Sequence, residues 1–124
     1  MAKILIIEDE KAMSDLVAIR FRVEGFEVDQ AFTLNEAKQK LGEGTKYDII
    51  LTDYLLPDGD LIEFLTTLRS GPLMRDLPVV VMTNYVEDLN NDKLKSLGVL
   101  DIFIKYQVVP AQMVVKVKQI LNIQ

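Results

Sequence analysis

From its N-terminus the chain alternates short apolar runs with longer stretches in which apolar residues recur every three or four positions. Five runs have strand character: Lys3 to Glu8, Phe26 to Ala31, Tyr47 to Asp53, Leu77 to Thr83 and Asp101 to Lys105. Unbroken apolar runs such as Ile4-Leu5-Ile6-Ile7 and Val79-Val80-Val81 suit strands of a parallel sheet covered on both faces. Pro78 fits a strand start, where a missing N–H is tolerated.

Helical spacing fills the intervals. Met13, Leu16, Val17, Arg20 and Phe21 mark a first helix closed by Gly25. Thr33-Leu34-Asn35-Glu36 reads as a capping box opening a second helix, with Gly42 as its stop. Asp60 caps a third carrying Leu61, Phe64, Leu65 and Leu68, and a fourth ends near Leu94, Leu97 and Gly98. Pro110 suits the first turn of a fifth, along which Met113, Val114, Val117, Ile120 and Leu121 form a stripe. Repeated β-α units of this length predict an α/β fold. Its doubly wound parallel sheet has five strands, right-handed crossovers and helices on both faces. Residues 1–124 read as a single domain with no linker or internal repeat.

Composition narrows the chemistry. The chain has no cysteine and no histidine, which excludes disulfides, thiolate chemistry, Ser-His-Asp catalysis and His-ligated zinc. It cannot itself carry a phosphohistidine. A net charge of -5 argues against direct nucleic-acid binding, since a phosphate backbone calls for a basic surface. The run from Ile4 to Ile7 is too short for a signal peptide or a membrane span, so no membrane partner is expected and the expected location is cytoplasmic.

In sheets of this kind, chemistry gathers beyond the carboxyl ends of the strands. Those ends hold Glu8-Asp9-Glu10, Asp53, Thr83 and Lys105. Crowded carboxylates repel one another, and a hard divalent cation with oxygen ligands relieves that repulsion. Mg2+ fits best, and it would also serve as template and charge sink for an incoming phosphoryl group. Asp53 could then act as a nucleophile forming an aspartyl phosphate, with Thr83 donating a hydrogen bond and Lys105 supplying a point charge. Singly, each residue has a plainer explanation: Asp53 as a turn residue, Thr83 as a strand former, Lys105 as a solvated charge, and the acidic triplet as a helix-start cluster. The conjunction of all four strand ends on one rim favours the chemical reading.

These residues resemble the receiver domain of two-component response regulators, and the likeness covers nearly the whole chain. The acidic pair after the first strand is matched by Glu8 and Asp9. The phosphoacceptor and the proline four residues later are matched by Asp53-Tyr54-Leu55-Leu56-Pro57, and the Ser/Thr and Lys positions by Thr83 and Lys105. The resemblance implies the flavodoxin-like strand order 2-1-3-4-5. It also implies Mg2+ (or Mn2+) bound by Asp9, Asp53 and the backbone carbonyl of Leu55, with Glu8 acting mainly through water. The phosphodonor would be a histidine kinase or a histidine phosphotransfer protein, and the output a downstream protein target. The chain reads either as the single-domain, chemotaxis-regulator-like type, ending with its fifth helix at Gln124, or as a piece of a larger protein, with a monomer among the open oligomeric states.

Four positions depart from the family pattern. Asn84 replaces the usual small residue after the Ser/Thr, and its bulk is expected to narrow access to the acyl phosphate. Ile102 replaces the aromatic switch, and Phe103 beside it should face the other side of the strand. Tyr106 replaces the proline after the Lys, and Leu61 stands where many members have Gly. The expected result is an intact phosphorylation site with altered output coupling. Self-dephosphorylation should be slow, because neither Leu55 nor Tyr85 can orient an attacking water. Val108, Val109 and Val115 are surplus apolar residues, read as rim packing ahead of a partner surface.

Other readings fit less well. A phosphorylation-independent binding module would explain Asn84, Ile102 and Tyr106 but not the five intact site positions. An Mg2+-dependent aspartyl phosphatase needs an Asp-x-Asp motif, and Leu55 stands where the second Asp belongs. A flavin-binding protein would want a hydroxyl-rich phosphate loop where Glu8-Asp9-Glu10 lies.

Overall fold

The computed structural model describes residues 1–71, 74–85, 87 and 89–123; Gln124, expected to close the fifth helix, lies outside them. The main sheet comprises β1 (Lys3–Ile7), β2 (Glu27–Ala31), β3 (Ile49–Thr52), β6 (Val79–Thr83) and β7 (Val99–Ile104), all parallel, in the order β2-β1-β3-β6-β7. Numbered among these five alone, that is the expected order 2-1-3-4-5. The helices are α1 (Lys11–Val23), α2 (Leu34–Gly42), α3 (Leu61–Ser70), α4 (Asn91–Ser96) and α5 (Pro110–Ile120). None of the described helices is long and apolar enough to cross a membrane.

The pleat sorts consecutive strand residues into two cores, because neighbouring side chains on a strand point to opposite faces. Leu5, Ile7, Ile50, Val79 and Val81 pack with Leu34, Ala37, Phe64, Leu65, Leu68 and Leu94 from α2, α3 and α4. Ile4, Ile6, Ile49, Leu51, Val80, Met82 and Phe103 pack with Val17, Phe21, Met113, Val114 and Val117 from α1 and α5. The unbroken apolar runs are therefore strands buried on both sides. Phe103 does face away from Ile102, which lies partly buried against the opposite core.

Several boundaries differ from the sequence reading. β7 starts two residues earlier than expected, directly after α4 and Gly98. It is an edge strand, and its Leu100 and Asp101 are exposed, which masked the strand pattern. The left-handed residue beyond α2 is Gly44 (φ 82°), not Gly42, which is the last helical residue. Leu16 is not a core residue. It lies with Ile19 and Val23 on the solvent face of α1.

The sequence pattern also missed a two-stranded antiparallel hairpin, β4 (Leu55–Leu56) with β5 (Gly59–Asp60). It reaches across to α2. The Asp58 carboxylate accepts from Leu34 N–H at 2.8 Å and from Asn35 N–H at 2.9 Å. The Thr33 hydroxyl accepts from Glu36 N–H at 3.0 Å, so the start of α2 is capped by its own threonine and by a residue twenty-odd positions away. A Cβ built on Gly59 would stand 3.0 Å from Leu34 Cδ1, so a side chain there would require Leu34 to shift by a few tenths of an ångström. Asp60 caps α3 as expected, accepting from Ile62 N–H at 2.9 Å.

Phe21 is fully buried and meets Phe26 edge-on, with ring centroids 5.0 Å apart. Truncation of such a ring costs about 3–5 kcal/mol, whereas an exposed site changes stability by about 0.5 kcal/mol or less. Phe21→Ala is therefore expected to lower the urea midpoint sharply and Leu16→Ala hardly at all. Equal shifts for the two variants would contradict this core assignment.

Candidate functional site

β1 and β3 are adjacent parallel strands in register, Ile7 opposite Thr52. The residues that follow them, Glu8 and Asp53, are thereby delivered side by side. The backbone fixes both: Asp53 N–H donates to Ile7 O at 2.8 Å, and Glu8 N–H to Ala31 O at 3.0 Å. Asp9 follows on the loop into α1 and is exposed, whereas Glu8 is wholly enclosed and Asp53 nearly so. Glu8, Asp9 and Asp53 each offer a carboxylate oxygen, all within 4.8 Å of one another.

Lys105 enters this cluster from the end of β7, two strands away. Its Nζ lies 2.7 Å from Asp53 Oδ2 and also bonds Glu8 Oε1. The ammonium is almost entirely enclosed, so two acids and one base share a site with little water. Burial alone would discharge the lysine, but its bonds to Asp53 and Glu8 outweigh burial and hold its pKa above the ordinary value. For Glu8 the balance runs the other way. Burial pushes its carboxyl up to about 7 despite bonds from Lys105 and from Glu10 N–H.

The remaining contacts orient Asp53. Tyr54 N–H donates to Asp53 Oδ1 at 2.7 Å, with Leu55 N–H at 3.4 Å beyond it. The Thr52 hydroxyl donates to Asp53 O at 3.0 Å. One oxygen of Asp53 thus faces the turn and the other faces Lys105. Leu55 lies in β4 with its side chain exposed, on the hairpin that Asp58 ties to α2.

Thr83 ends β6 and is buried. Its hydroxyl oxygen accepts from Tyr85 N–H at 3.0 Å, and its carbonyl from Lys105 N–H at 3.1 Å. The Tyr85 ring stacks on Tyr54 with centroids 6.1 Å apart, linking the residue after Asp53 to the loop after Thr83. Asn84 is exposed, and its Oδ1 accepts from Tyr106 N–H at 3.0 Å. The side chain expected to crowd the site is therefore committed to the turn after Lys105. Ile102 is half-buried on β7, and the Tyr106 side chain is exposed.

The structure thus gathers Glu8, Asp9, Asp53 and Lys105 into one contact group and places Thr83 at the end of the strand between β3 and β7. The donor set is oxygen only, with more acid than base, which fits a hard divalent cation such as Mg2+. Sequence reasoning missed Asp58, the Tyr54–Tyr85 stack and the Asn84–Tyr106 bond. Asp58 had a signal, an acid in the Pro57-Asp58-Gly59 turn; the other two depend on loops meeting in space.

Comparison with known proteins agrees with this architecture. The family described as "Response regulator receiver domain" matches residues 4–118. The phosphate regulon transcriptional regulatory protein PhoB of Escherichia coli (strain K12) is 30% identical over 121 residues, 97% of this chain and 52% of that protein. The chain spans about half the length of the curated relatives it matches first. Among solved structures, a two-component response regulator from Clostridium difficile superposes with a TM-score of 0.87 at 30% identity, covering 98% of this chain and 97% of that one. A CheY-like response regulator receiver domain protein from Methanospirillum hungatei JF-1 gives 0.88 at 27% identity, covering 98% and 94%.

The raised Glu8 pKa has a consequence for stability. A carboxyl that holds its proton more tightly when folded stabilises the fold below its unfolded pKa near 4.5, and that contribution is lost as pH rises through about 7. Asp15, Asp29 and Asp58, whose pKa values are lowered, act only at more acid pH. In Mg2+-free buffer the denaturation midpoint is expected to fall relative to Glu8→Gln as pH rises from 4.5 to about 7. Parallel pH profiles for the two proteins would show that Glu8 ionises normally.

Proposed function

We propose that this chain, which belongs to the response regulator receiver domain family, is a phosphorylation-dependent switch whose phosphoacceptor is Asp53. Receiver domains are phosphoacceptor signalling domains of two-component systems rather than conventional enzymes, and the family binds Mg2+ at an acidic pocket. They work with histidine kinases or phosphotransfer proteins and with downstream targets. The observation that carries the reading is the contact group itself: Asp53 held between Lys105 and Tyr54 N–H, beside two further carboxylates.

In this reading an Asp53 carboxylate oxygen attacks the phosphorus of a phosphohistidine. A P–O bond forms, the P–N bond breaks, and the imidazole nitrogen leaves with the bonding pair. Lys105, already against Asp53, stays beside the new negative charge, and Thr83 turns its hydroxyl from Tyr85 N–H to a phosphoryl oxygen. Asp9, Asp53 and the Leu55 carbonyl would hold Mg2+ (or Mn2+), with Glu8 acting through water, and the ion would spread phosphoryl charge. Residues 1–124 act here as one receiver domain, working in the cytoplasm on a protein target rather than on nucleic acid.

Incubation with acetyl phosphate and Mg2+ should add one phosphoryl group to the intact mass, with none added to Asp53→Asn or in EDTA. If no condition adds the group, a phosphorylation-independent binding module becomes the better reading. Once formed, the adduct should outlast a chase of minutes, because Leu55 is apolar and Tyr85 offers no carboxylate or amide at those positions. Loss within seconds would contradict that expectation.

A further inference from the structure

Asn84 directly follows Thr83, and Tyr106 directly follows Lys105. The last ladder bond between the two strands runs from Lys105 N–H to Thr83 O. Beyond it the chain turns, Gln107 and Val108 both donating to Ile104 O at 2.9 Å. The next N–H, that of Tyr106, is met by a side chain: Asn84 Oδ1, at 3.0 Å. The bond needs an acceptor at 84 and a residue other than proline at 106, since proline has no N–H. These are two of the positions at which the chain departs from the receiver pattern, and each departure supplies what the other requires.

We propose that Asn84 is a positioning residue for phosphoryl transfer: its amide ties the end of β6 that carries Thr83 to the end of β7 that carries Lys105. This rests on the functional reading above. The side-chain rung extends the ladder by one bond and makes the hydroxyl and the ammonium parts of one unit. When Thr83 turns toward a phosphoryl group, Asn84 carries the turn after β7 with it. The exposed Tyr106 side chain moves as well, so the signal leaves through that turn rather than through a ring at position 102.

The test uses the full chain and reads two properties. The first is hydrogen exchange of the Tyr106 amide in the unphosphorylated protein, followed by NMR. Loss of one hydrogen bond should raise its rate roughly fivefold to tenfold in Asn84→Ala, while Asn84→Asp, which keeps an acceptor, stays close to the parent. The second is the rate of phosphorylation by acetyl phosphate and the shift of residue-106 neighbours on phosphorylation. Asn84→Ala should slow the rate severalfold and shrink the shift, Asn84→Asp should restore the coupling, and in a Tyr106→Pro background Asn84→Ala should add nothing. Unchanged Tyr106 exchange in Asn84→Ala overturns the rung. Faster exchange with unchanged phosphorylation and shift overturns the positioning role. A parent chain that takes no phosphoryl group overturns the functional reading and the positioning role with it, leaving the exchange result to stand for the rung alone.

Discussion

The ammonium of Lys105 between Glu8 and Asp53 is the interaction on which the rest of the site depends. Without it, two enclosed carboxylates would face each other beside a third, Asp9, in surroundings that solvate charge poorly. The lysine lowers that cost, but one positive charge does not balance three acids. At Glu8 burial dominates and pushes the carboxyl up to about 7, although it accepts from both Lys105 and Glu10 N–H. Glu8, Asp9 and Asp53 offer a cluster of oxygen donors of the kind that suits a hard divalent cation. Ion pairs enclosed in this way seldom add net stability, so stability alone does not account for the arrangement.

The sheet makes that arrangement possible. Parallel strands in register bring their carboxyl ends to one rim, so residues 8, 53, 83 and 105 need no loop to meet. Their positions follow from strand length, and strand length from the apolar runs that fill the two cores. A one-residue slip in any of these strands would turn its chemical residue away from the rim and reverse the sorting of its apolar side chains. Packing and chemistry are specified by the same register.

This is why so much was legible in the sequence. The runs ending at Glu8, Asp53 and Thr83 each hold an unbroken apolar stretch and Lys105 follows the shorter Ile102-Phe103-Ile104, so their carboxyl ends can be located without knowledge of tertiary contacts. What escaped detection depends on tertiary contacts. Asp58 caps α2 across a gap of more than twenty residues, and a hairpin with two residues per strand is too short to show a period. Leu16 obeys the helical spacing of its neighbours yet faces solvent with Ile19 and Val23, because α1 carries apolar residues on two sides and periodicity cannot say which meets the sheet. The buried side is the one with Val17, Ala18 and Phe21.

The departures from the family pattern also change meaning once their partners are known. Read singly, Asn84 is an obstruction and Tyr106 a lost proline. In the structure they share a hydrogen bond, which holds the Asn84 amide to the turn after Lys105. Ile102 retains the burial of a strand residue packed on one core but lacks a ring that could swap between inside and outside. The aromatic groups near the site are instead Tyr54 and Tyr85, stacked over the junction between the Asp53 turn and the loop after Thr83. The Thr83 hydroxyl contact, the Asn84 bond and the Tyr85 stack all originate within three consecutive residues, 83 to 85. The contacts that tie the loops together therefore lie at the end of the edge strand rather than at position 102 in its middle.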